Sequence, residues 1–370
     1  MALSPSLFDA LMKAFISGVF VVLMAGTMHH ANQARKRDCT TNTEDFQSLV
    51  AIVVTMAFIL VYFLVKLDFS GRTGEATSET IILVPIFIVG TPLVLVLLYL
   101  VSNLVQAVIR KKPKKRRWGT EMAEYPDPEG KIKRRLDLQR KATHILMFVS
   151  MFIILAIVKP YASLYEDDAV FFGDRSGLSM LQTIRSDIPF SVTQGILILF
   201  FYVLSMVFLF IENTRIATWK YTHFPLHQTI QRTLRKKELD SIASYTHFSV
   251  GFLFASIFLM PTLLMGAFAL FSIGDTMAAT IGINFGKHKI GVNPEKSWEG
   301  TLGGFAFSFA AAVWFVGPVW ALASALLFVA IDVFSPTPIK VADNILIPVS
   351  VAGLYWAFSL AGIPAVSLVL

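Results

Sequence analysis

The sequence predicts an all-α membrane protein, a bundle of about ten transmembrane helices. Three observations support this fold class. The chain of 370 residues is 55% hydrophobic and only 15% charged. Its mean hydropathy is +0.64, and its apolar residues form blocks of the length that crosses a bilayer, about 20 residues for an α-helix. Its basic residues alternate between successive loops, as expected for a polytopic protein.

Ten apolar segments are predicted to span the membrane. Pro261 and Pro318 mark tight turns between neighbouring segments, because proline is tolerated in the first turn of a helix but not in its interior. The third segment is longer than a bilayer requires, so it is expected to tilt or to continue into the cytosol. The predicted spans are 8–28, 49–67, 81–109, 142–164, 190–212, 242–260, 261–283, 298–316, 318–335 and 344–369.

The distribution of lysine and arginine predicts the orientation of the spans. The positive-inside rule places the most basic loops in the cytosol and both chain ends on the opposite side of the membrane. Topology therefore explains the net charge of +7, and we expect no nucleic-acid partner. Of the 32 Lys and Arg residues, 26 lie in five alternate loops, at 29–48, 110–141, 213–241, 284–297 and 336–343.

The chain divides into three predicted segments. Residues 1–109 form a three-span N-terminal membrane extension, residues 110–141 a basic cytosolic loop, and residues 142–370 a seven-span catalytic membrane domain. Nearly all of the unusual polar residues lie at the cytosolic edges of the third segment. Cys39 is the single cysteine of this sequence, which excludes an internal disulfide and a cysteine-based metal site.

Residues 272–304, SIGDTMAATIGINFGKHKIGVNPEKSWEGTLGG, place charges in an otherwise apolar region. A carboxylate at the centre of a membrane helix costs about 2.5–3.5 kcal/mol, so Asp275 requires a partner such as a lysine, a metal ion or water. Small residues follow both carboxylates at helical spacing and allow two helices to approach closely. They are Ala278, Ala279 and Gly282 after Asp275, and Gly303, Ala306 and Ala310 after Glu299. We therefore expect these helices to bring both carboxylates together at the lysine-bearing hairpin between them.

The hairpin ends in a predicted anion site. Ser297 is placed to cap a helix that begins at Trp298, whose free amide groups carry partial positive charge, and Lys296 precedes it. Carboxylates, lysines and a helix N-terminus are the groups that bind a nucleoside triphosphate with Mg²⁺. The segment GINFGK is not a P-loop, because it has three residues between its glycines where the motif needs four.

Polar residues at other predicted cytosolic helix ends are expected to assist. Glu212 and Arg215 also fit an ordinary helix-end salt bridge, and Arg140 with Lys141 an ordinary positive-inside anchor. The segments that carry these groups are RKATH, ENTR and ADN, with the accessory residues Arg140, Lys141, His144, Glu212 and Arg215 and, before the last span, Asp343 and Asn344.

The segments GDTMAATIGINFGKHKI and KSWEGTLGG, with RKATH, ENTR and DNILIP around them, resemble the polyprenol kinase family, which includes dolichol kinase, phytol kinase and CTP-dependent diacylglycerol kinase. The resemblance covers residues 140–350. It implies transfer of the terminal phosphate of a nucleotide, commonly CTP, to the hydroxyl of a membrane lipid alcohol such as dolichol. Asp332 departs from the family pattern, where glutamate is expected, and this weakens any role assigned to it.

The resemblance and the residues together give a set of predicted roles. Asp275, Glu299 and Asp343 are the predicted catalytic residues, and Asp275 and Glu299 are the predicted ligands of Mg²⁺. The nucleotide is expected to be CTP, and the residues predicted to bind it are Lys287, Lys296, Ser297, Gly300 and Asn344.

Two other classes of function stay open. Phosphatidate cytidylyltransferases share a Lys-Ser/Thr-Trp-Glu-Gly pattern with this chain. Their second signature, a Lys-Asp pair followed by Gly-His-Gly-Gly and an Asp-Arg element, is missing after residue 305. An ion-coupled transporter would explain Asp275 and Glu299 but would leave the lysine hairpin without a role. The expected location is the endoplasmic reticulum or a prokaryotic plasma membrane, with the active loops in the cytosol.

Overall fold

The computed structural model describes residues 5–35, 42–66, 88–101, 104, 131–162, 192–218 and 241–368. Within these ranges the chain is almost entirely helical, and the predicted all-α class is confirmed. A two-stranded antiparallel hairpin separates α7 from α8. The elements are α1 Pro5–Arg35, α2 Asn42–Lys66, α3 Ile88–Val101, α4 Lys131–Ala162, α5 Val192–Thr218, α6 Ser244–Phe258, α7 Pro261–Phe285, β1 Lys289–Ile290, β2 Asn293–Ser297, α8 Trp298–Val316, α9 Pro318–Phe334 and α10 Asp343–Leu360.

Each predicted span overlaps a helix of the described residues, but some ends differ. Helix α4 begins at Lys131, before the predicted start at 142, and α10 ends at Leu360, before the predicted end at 369. Six of these helices are long and apolar enough to cross a membrane, by length and composition alone. Three shorter apolar helices lie at Ile88–Val101, His144–Ile157 and Pro318–Phe334. The protein is thus a membrane protein with multiple apolar helices, while the orientation of the spans stays a prediction. The six long candidates are Asp9–Gln33, Phe46–Leu64, Thr193–Ile216, Pro261–Phe285, Trp298–Val316 and Asp343–Leu360.

Proline begins the helix after each of the two predicted turns. Pro261 is the first residue of α7 and Pro318 the first residue of α9, a position where its missing amide hydrogen would have no helical partner. Gly317, between α8 and α9, has a φ of 79°, which residues with a side chain rarely adopt. A Cβ at Gly317 would also lie 2.7 Å from the carbonyl oxygen of Val366. Both predicted turns are confirmed.

The chain forms two compact units, and the division falls inside α5 and α6. The first unit contains residues 1–126 and 199–250, and the second contains residues 127–198 and 251–370. The predicted division at residues 109 and 141 concerned function rather than packing and stays a prediction. Its basic segment 110–130 lies outside the described residues.

Aromatic side chains form the interior of the first unit. The rings of Phe20 and Phe63 have centroids 6.2 Å apart, and those of Phe63 and Tyr202 have centroids 5.8 Å apart. The hydroxyl of Tyr202 donates a hydrogen bond of 2.8 Å to the carbonyl oxygen of Ile88. These contacts join α1, α2, α3 and α5 within this unit.

Helix α7 is the buried centre of the second unit. It contacts α4, α8, α9 and α10, and most of its residues from Pro261 to Asp275 are buried. The ring of Phe268 packs against Phe252 and Phe148, with centroids 4.7 and 6.0 Å apart. An apolar helix that is surrounded by other helices in this way holds its few polar residues in defined positions.

Small residues set the distance between α7 and α8, as the sequence predicts. A Cβ at Gly300 would lie 2.8 Å from the carbonyl oxygen of Ala278 and 2.9 Å from the Cα atom of Gly282. A Cβ at Gly304 would lie 2.8 Å from that of Ala278. Because these neighbours are mostly backbone, the helices have no room for a larger side chain at the contact.

We expect Gly300→Ala to destabilise the second unit by about 1–3 kcal/mol, the usual cost of overpacking a close contact. Thermal unfolding in detergent, followed by circular dichroism, measures the effect. Gly353→Ala in α10 is the matched control, because a Cβ there meets nothing within 4 Å. An unfolding midpoint for Gly300→Ala as high as that of Gly353→Ala would contradict the close approach.

Candidate active site

Three aspartates from three helices of the second unit share one location. Asp275 of α7, Asp332 of α9 and Asp343 of α10 each offer an oxygen atom, and these oxygens lie within 4.8 Å of one another. The side chains of Asp275 and Asp332 are 5% and 3% exposed, and that of Asp343 is 25% exposed. We call these three residues the aspartate cluster.

Helix α4 supplies a cation and an imidazole to Asp275. The ammonium group of Lys141 forms a salt bridge with Asp275 Oδ2, and His144 Nδ1 lies 3.2 Å from the same oxygen. The Thr276 hydroxyl lies 3.2 Å from the carbonyl oxygen of Lys141, where it can donate a hydrogen bond that fixes the two helices at this level. The ring of His144 also packs against Phe271, with centroids 5.3 Å apart. Lys141, predicted only as an accessory residue, is thus in direct contact with the cluster.

The hairpin supplies a second cation, Lys296. Its ammonium group forms a salt bridge with Asp332 and lies 3.8 Å from Asp343 Oδ2. Burial alone would lower the pKa of Lys296, but the nearby charges of Asp332 and Asp343 outweigh it and raise the pKa above its ordinary value. Lys296 therefore keeps its positive charge throughout the physiological pH range.

Asn293 holds the hairpin against the end of α9. Its side-chain amide donates hydrogen bonds of 3.1 Å to the carbonyl oxygens of Val333 and Ser335, which are orphan acceptors at a helix C-terminus. The amide of Trp298 donates to the carbonyl oxygen of His288 at 2.9 Å and closes the base of the hairpin. These bonds place Lys296 beside Asp332.

The sequence predicts that Asp275 and Glu299 lie together, but the structure places them in different surroundings. Glu299 Oε1 lies 2.6 Å from His288 Nδ1, and both of its oxygens accept from the backbone amide of His288 at 3.2 Å. Its carboxylate faces the hairpin because Gly300, not Glu299, is the residue that packs against α7. Glu299 therefore lies outside the aspartate cluster, and Asp332 joins Asp275 instead.

The other residues predicted to bind nucleotide occupy different surroundings. Ser297 caps α8, with its hydroxyl accepting from the amide of Gly300 at 3.3 Å, so the predicted cap is confirmed. Asn344 is buried beside Asp343 at the start of α10. Lys287 is exposed on the hairpin. The side chain of Arg140 lies outside the described residues.

Glu212 and Arg215 belong to the first unit, where they form a closed network. Arg215 donates to both oxygens of Glu212 at 2.9 and 2.7 Å and to the carbonyl oxygen of Ser241 at 2.7 Å. Glu212 also accepts from the amide of Ala243 at 2.8 Å and from the hydroxyl of Tyr245. A carboxylate accepts about four hydrogen bonds, so Glu212 is saturated, as in an ordinary structural ion pair.

The aspartate cluster fits a hard divalent cation. Mg²⁺ prefers carboxylate oxygens at about 2.0–2.1 Å, so two ligands on opposite sides of one ion lie about 4 Å apart. The oxygens of the cluster, within 4.8 Å of one another, reach that spacing with a small movement of the side chains. Lys141 and Lys296 now offset part of the negative charge, so a cation would compete with them for Asp275 and Asp332.

Sequence reasoning missed the part that Asp332 takes in the cluster. The sequence contains a signal for this role. Asp332 is a carboxylate near the end of an apolar segment, and the helix that follows this segment begins with Asp343. The family pattern has glutamate at this position, and this difference argued against a role for Asp332. The structure shows that an aspartate at this position contacts Lys296.

The structure is thus a bundle of apolar helices with a buried cluster of carboxylates and lysines in its second unit. The cytidylyltransferase family model matches residues 138–342, more than half of the chain, and the chain belongs to this family. The family includes proteins like CTP-dependent diacylglycerol kinase and polyprenol kinase, so the resemblance of the sequence motifs is confirmed. The protein is therefore a membrane transferase and a CTP-related lipid enzyme. No curated protein and no solved structure matches the chain.

We expect Asp332→Asn to weaken divalent-cation binding, because it removes one of the three clustered charges while keeping the side-chain shape. Binding of Mn²⁺ to the detergent-purified protein, followed by electron paramagnetic resonance, measures the affinity without requiring turnover. Glu299→Gln is the matched control and should bind Mn²⁺ as the unsubstituted protein does. The reverse order of the two variants would restore the predicted Asp275 and Glu299 pair.

Arg215→Met should destabilise the first unit by about 3–5 kcal/mol, because it leaves the buried Glu212 carboxylate without its counter-charge. Tyr245→Phe removes a single hydrogen bond to a charged group and should cost about 1.5–3 kcal/mol. Chemical denaturation in detergent ranks the two variants. A normally stable Arg215→Met protein that lacks turnover would instead assign Arg215 a catalytic part.

Proposed function

We propose that the protein is a lipid-alcohol kinase that transfers the terminal phosphate of CTP, with Mg²⁺, to a membrane isoprenoid alcohol such as dolichol. The observation that carries this proposal is the joining of Asp275, Asp332 and Asp343 with Lys141 and Lys296. Family membership supports a CTP-related lipid enzyme. Phosphoryl transfer needs little from a protein beyond positioning and charge neutralisation, and this cluster offers both.

The charge of the cluster explains why a nucleotide would arrive with a cation. Three carboxylates and two ammonium groups leave one net negative charge, which by itself repels a triphosphate. Asp275 and Asp332 would hold a divalent cation, which would supply the positive charge that a triphosphate requires. Lys141 and Lys296, released from those carboxylates, would then be free to bind phosphate oxygens.

We assign to Asp343 the role of the base that accepts the hydroxyl proton. The hydroxyl oxygen of the alcohol forms a bond to the terminal phosphorus, the bond from that phosphorus to the bridging oxygen breaks, and CDP leaves. The hydroxyl proton passes to Asp343, the most exposed carboxylate of the cluster. A carboxylate that is fully committed to a cation is a poor base, which favours Asp343 over the more deeply buried Asp275.

Phosphoryl transfer is favoured over cytidylyl transfer by the sequence between residues 306 and 370. That stretch contains no Gly-His-Gly-Gly segment and no Asp-Arg element, which phosphatidate cytidylyltransferases have. Both activities occur among lipid enzymes that use CTP, so the family alone does not separate them. We propose the endoplasmic reticulum or a prokaryotic plasma membrane as the location, with the hairpin in the cytosol, on the basis of the basic loops.

Position-specific labelling of CTP tests the reaction. Purified protein in bilayers of neutral lipid is incubated with Mg²⁺, a panel of lipid alcohols and CTP labelled at either the α- or the γ-phosphate. Label in the lipid from γ-labelled CTP alone is the expected result. Label from the α-phosphate with phosphatidate as acceptor would identify a cytidylyltransferase, and no labelled lipid from any alcohol would overturn the proposal.

Lys296→Gln should lower kcat/KM for CTP by about 10²-fold or more, in the range found when one preorganised electrostatic group is removed from an active site. Lys289→Gln removes a charge from the exposed side of the same hairpin and should have an effect below about tenfold. Steady-state kinetics in neutral bilayers compare the two variants. Equal small losses would reduce Lys296 to an anchor of the hairpin.

A further inference from the structure

The end of α7 and the beginning of α8 lie at one level of the second unit. A Cβ at Gly282 would lie 3.6 Å from the Cα atom of Gly300, and the helices run antiparallel because the short hairpin joins them. Phe285, three residues after Gly282, and Trp298, two residues before Gly300, therefore lie near the same height. They are 67% and 53% exposed, so two large apolar side chains face outwards there.

Helix α8 indicates where this level lies relative to a bilayer. Its outward residues Leu302, Phe307 and Trp314 are exposed and apolar, as expected of a surface that contacts lipid. Trp298 and Trp314 are sixteen positions apart in the sequence, about 24 Å at 1.5 Å per residue. That separation approaches the thickness of the hydrocarbon core, about 30 Å, and exposed aromatic residues concentrate at its two boundaries.

The hairpin beyond this level is one-sided. Ile290, Asn293 and Ser297 are buried against the bundle, whereas the other side presents Lys287 and Lys289, both exposed. Val292, at the tip between the strands, is 51% exposed. Basic groups beside exposed apolar side chains match the charge and polarity of a membrane surface that contains anionic lipid.

Two acidic residues, Glu295 and Glu299, lie near these lysines. Glu299 belongs to α8, and its carboxylate is held by His288, with Oε1 2.6 Å from the ring Nδ1 and both oxygens accepting from the backbone amide at 3.2 Å. Glu295 is exposed on β2 and is the remaining acidic residue of the hairpin. Between β1 and β2 and their flanking residues, the exposed charged side chains are thus Lys287, Lys289 and Glu295, two basic groups and one acidic group.

We propose that the hairpin binds the headgroups of anionic phospholipids, with Lys287 and Lys289 contacting phosphate and with Val292 and Phe285 entering the interface. The partner is the lipid leaflet itself and not the free nucleotide. This inference does not depend on the reaction, since it concerns exposed residues that are not part of the aspartate cluster. It gives Lys287 a ligand other than the nucleotide that the sequence predicted.

An environment-sensitive fluorophore at the hairpin tip tests the proposal. The full chain carries Cys39→Ser and Val292→Cys, is labelled at residue 292 with nitrobenzoxadiazole and is placed in nanodiscs of phosphatidylcholine with or without phosphatidylglycerol. Anionic lipid should shift the emission to shorter wavelength and increase quenching by a lipid with a spin label near its headgroup. Equal emission and quenching in the two lipid compositions would overturn the proposal.

Charge variants identify the groups responsible. Lys287→Gln with Lys289→Gln should remove more than about half of the response to anionic lipid, since each basic residue near a membrane surface contributes to lipid attraction. Glu295→Gln is the matched control of opposite sign and should increase the response. An unchanged response to anionic lipid in the lysine variant would overturn the proposal.

Discussion

Asp275, Asp332 and Asp343 can share one buried location because Lys141 and Lys296 offset their charge. Carboxylates within 4.8 Å of one another repel strongly where water is scarce. Neither lysine lies on a helix that carries one of these aspartates. Lys141 lies on α4 and Lys296 on the hairpin. The arrangement of α4, α7, α9, α10 and the hairpin thus depends on a balance of charge. In the function that we propose, a divalent cation and a nucleotide would redistribute that charge.

The close packing of α7 on α8 makes this balance possible. Gly300 and Gly304 bring α8 to the surface of α7, and the hairpin that joins the two helices is short. Asn293 then attaches the hairpin to the last carbonyl groups of α9. As a result the Lys296 side chain reaches Asp332, while the opposite side of the hairpin stays exposed. One short segment therefore serves the acidic cluster on one side and faces lipid headgroups on the other, as we propose.

The two units use buried charge in different ways. In the first unit, Glu212 receives hydrogen bonds at both oxygens from Arg215, Ala243 and Tyr245, and nothing remains for a ligand. In the second unit, the three carboxylates share two ammonium groups, so one negative charge is left without a counter-charge. A saturated network is stabilising only while it is complete, whereas the aspartate cluster is suited to exchange its partners.

The sequence by itself determined the helical membrane class, the positions of the helices, the turns at Pro261 and Pro318, and the cap at Ser297. These features depend on apolar segment length and on local backbone chemistry, which neighbouring residues encode. It also predicted Asp275, Lys296 and Asp343 as site residues. The structure brings these three together, while their roles in a site stay predictions. Tertiary structure decided that Asp332 and not Glu299 accompanies Asp275. Glu299 and Gly300 are adjacent in α8, and only the packing of α8 on α7 decides which of the two faces α7. The apolar pattern of α8 does not specify that rotation.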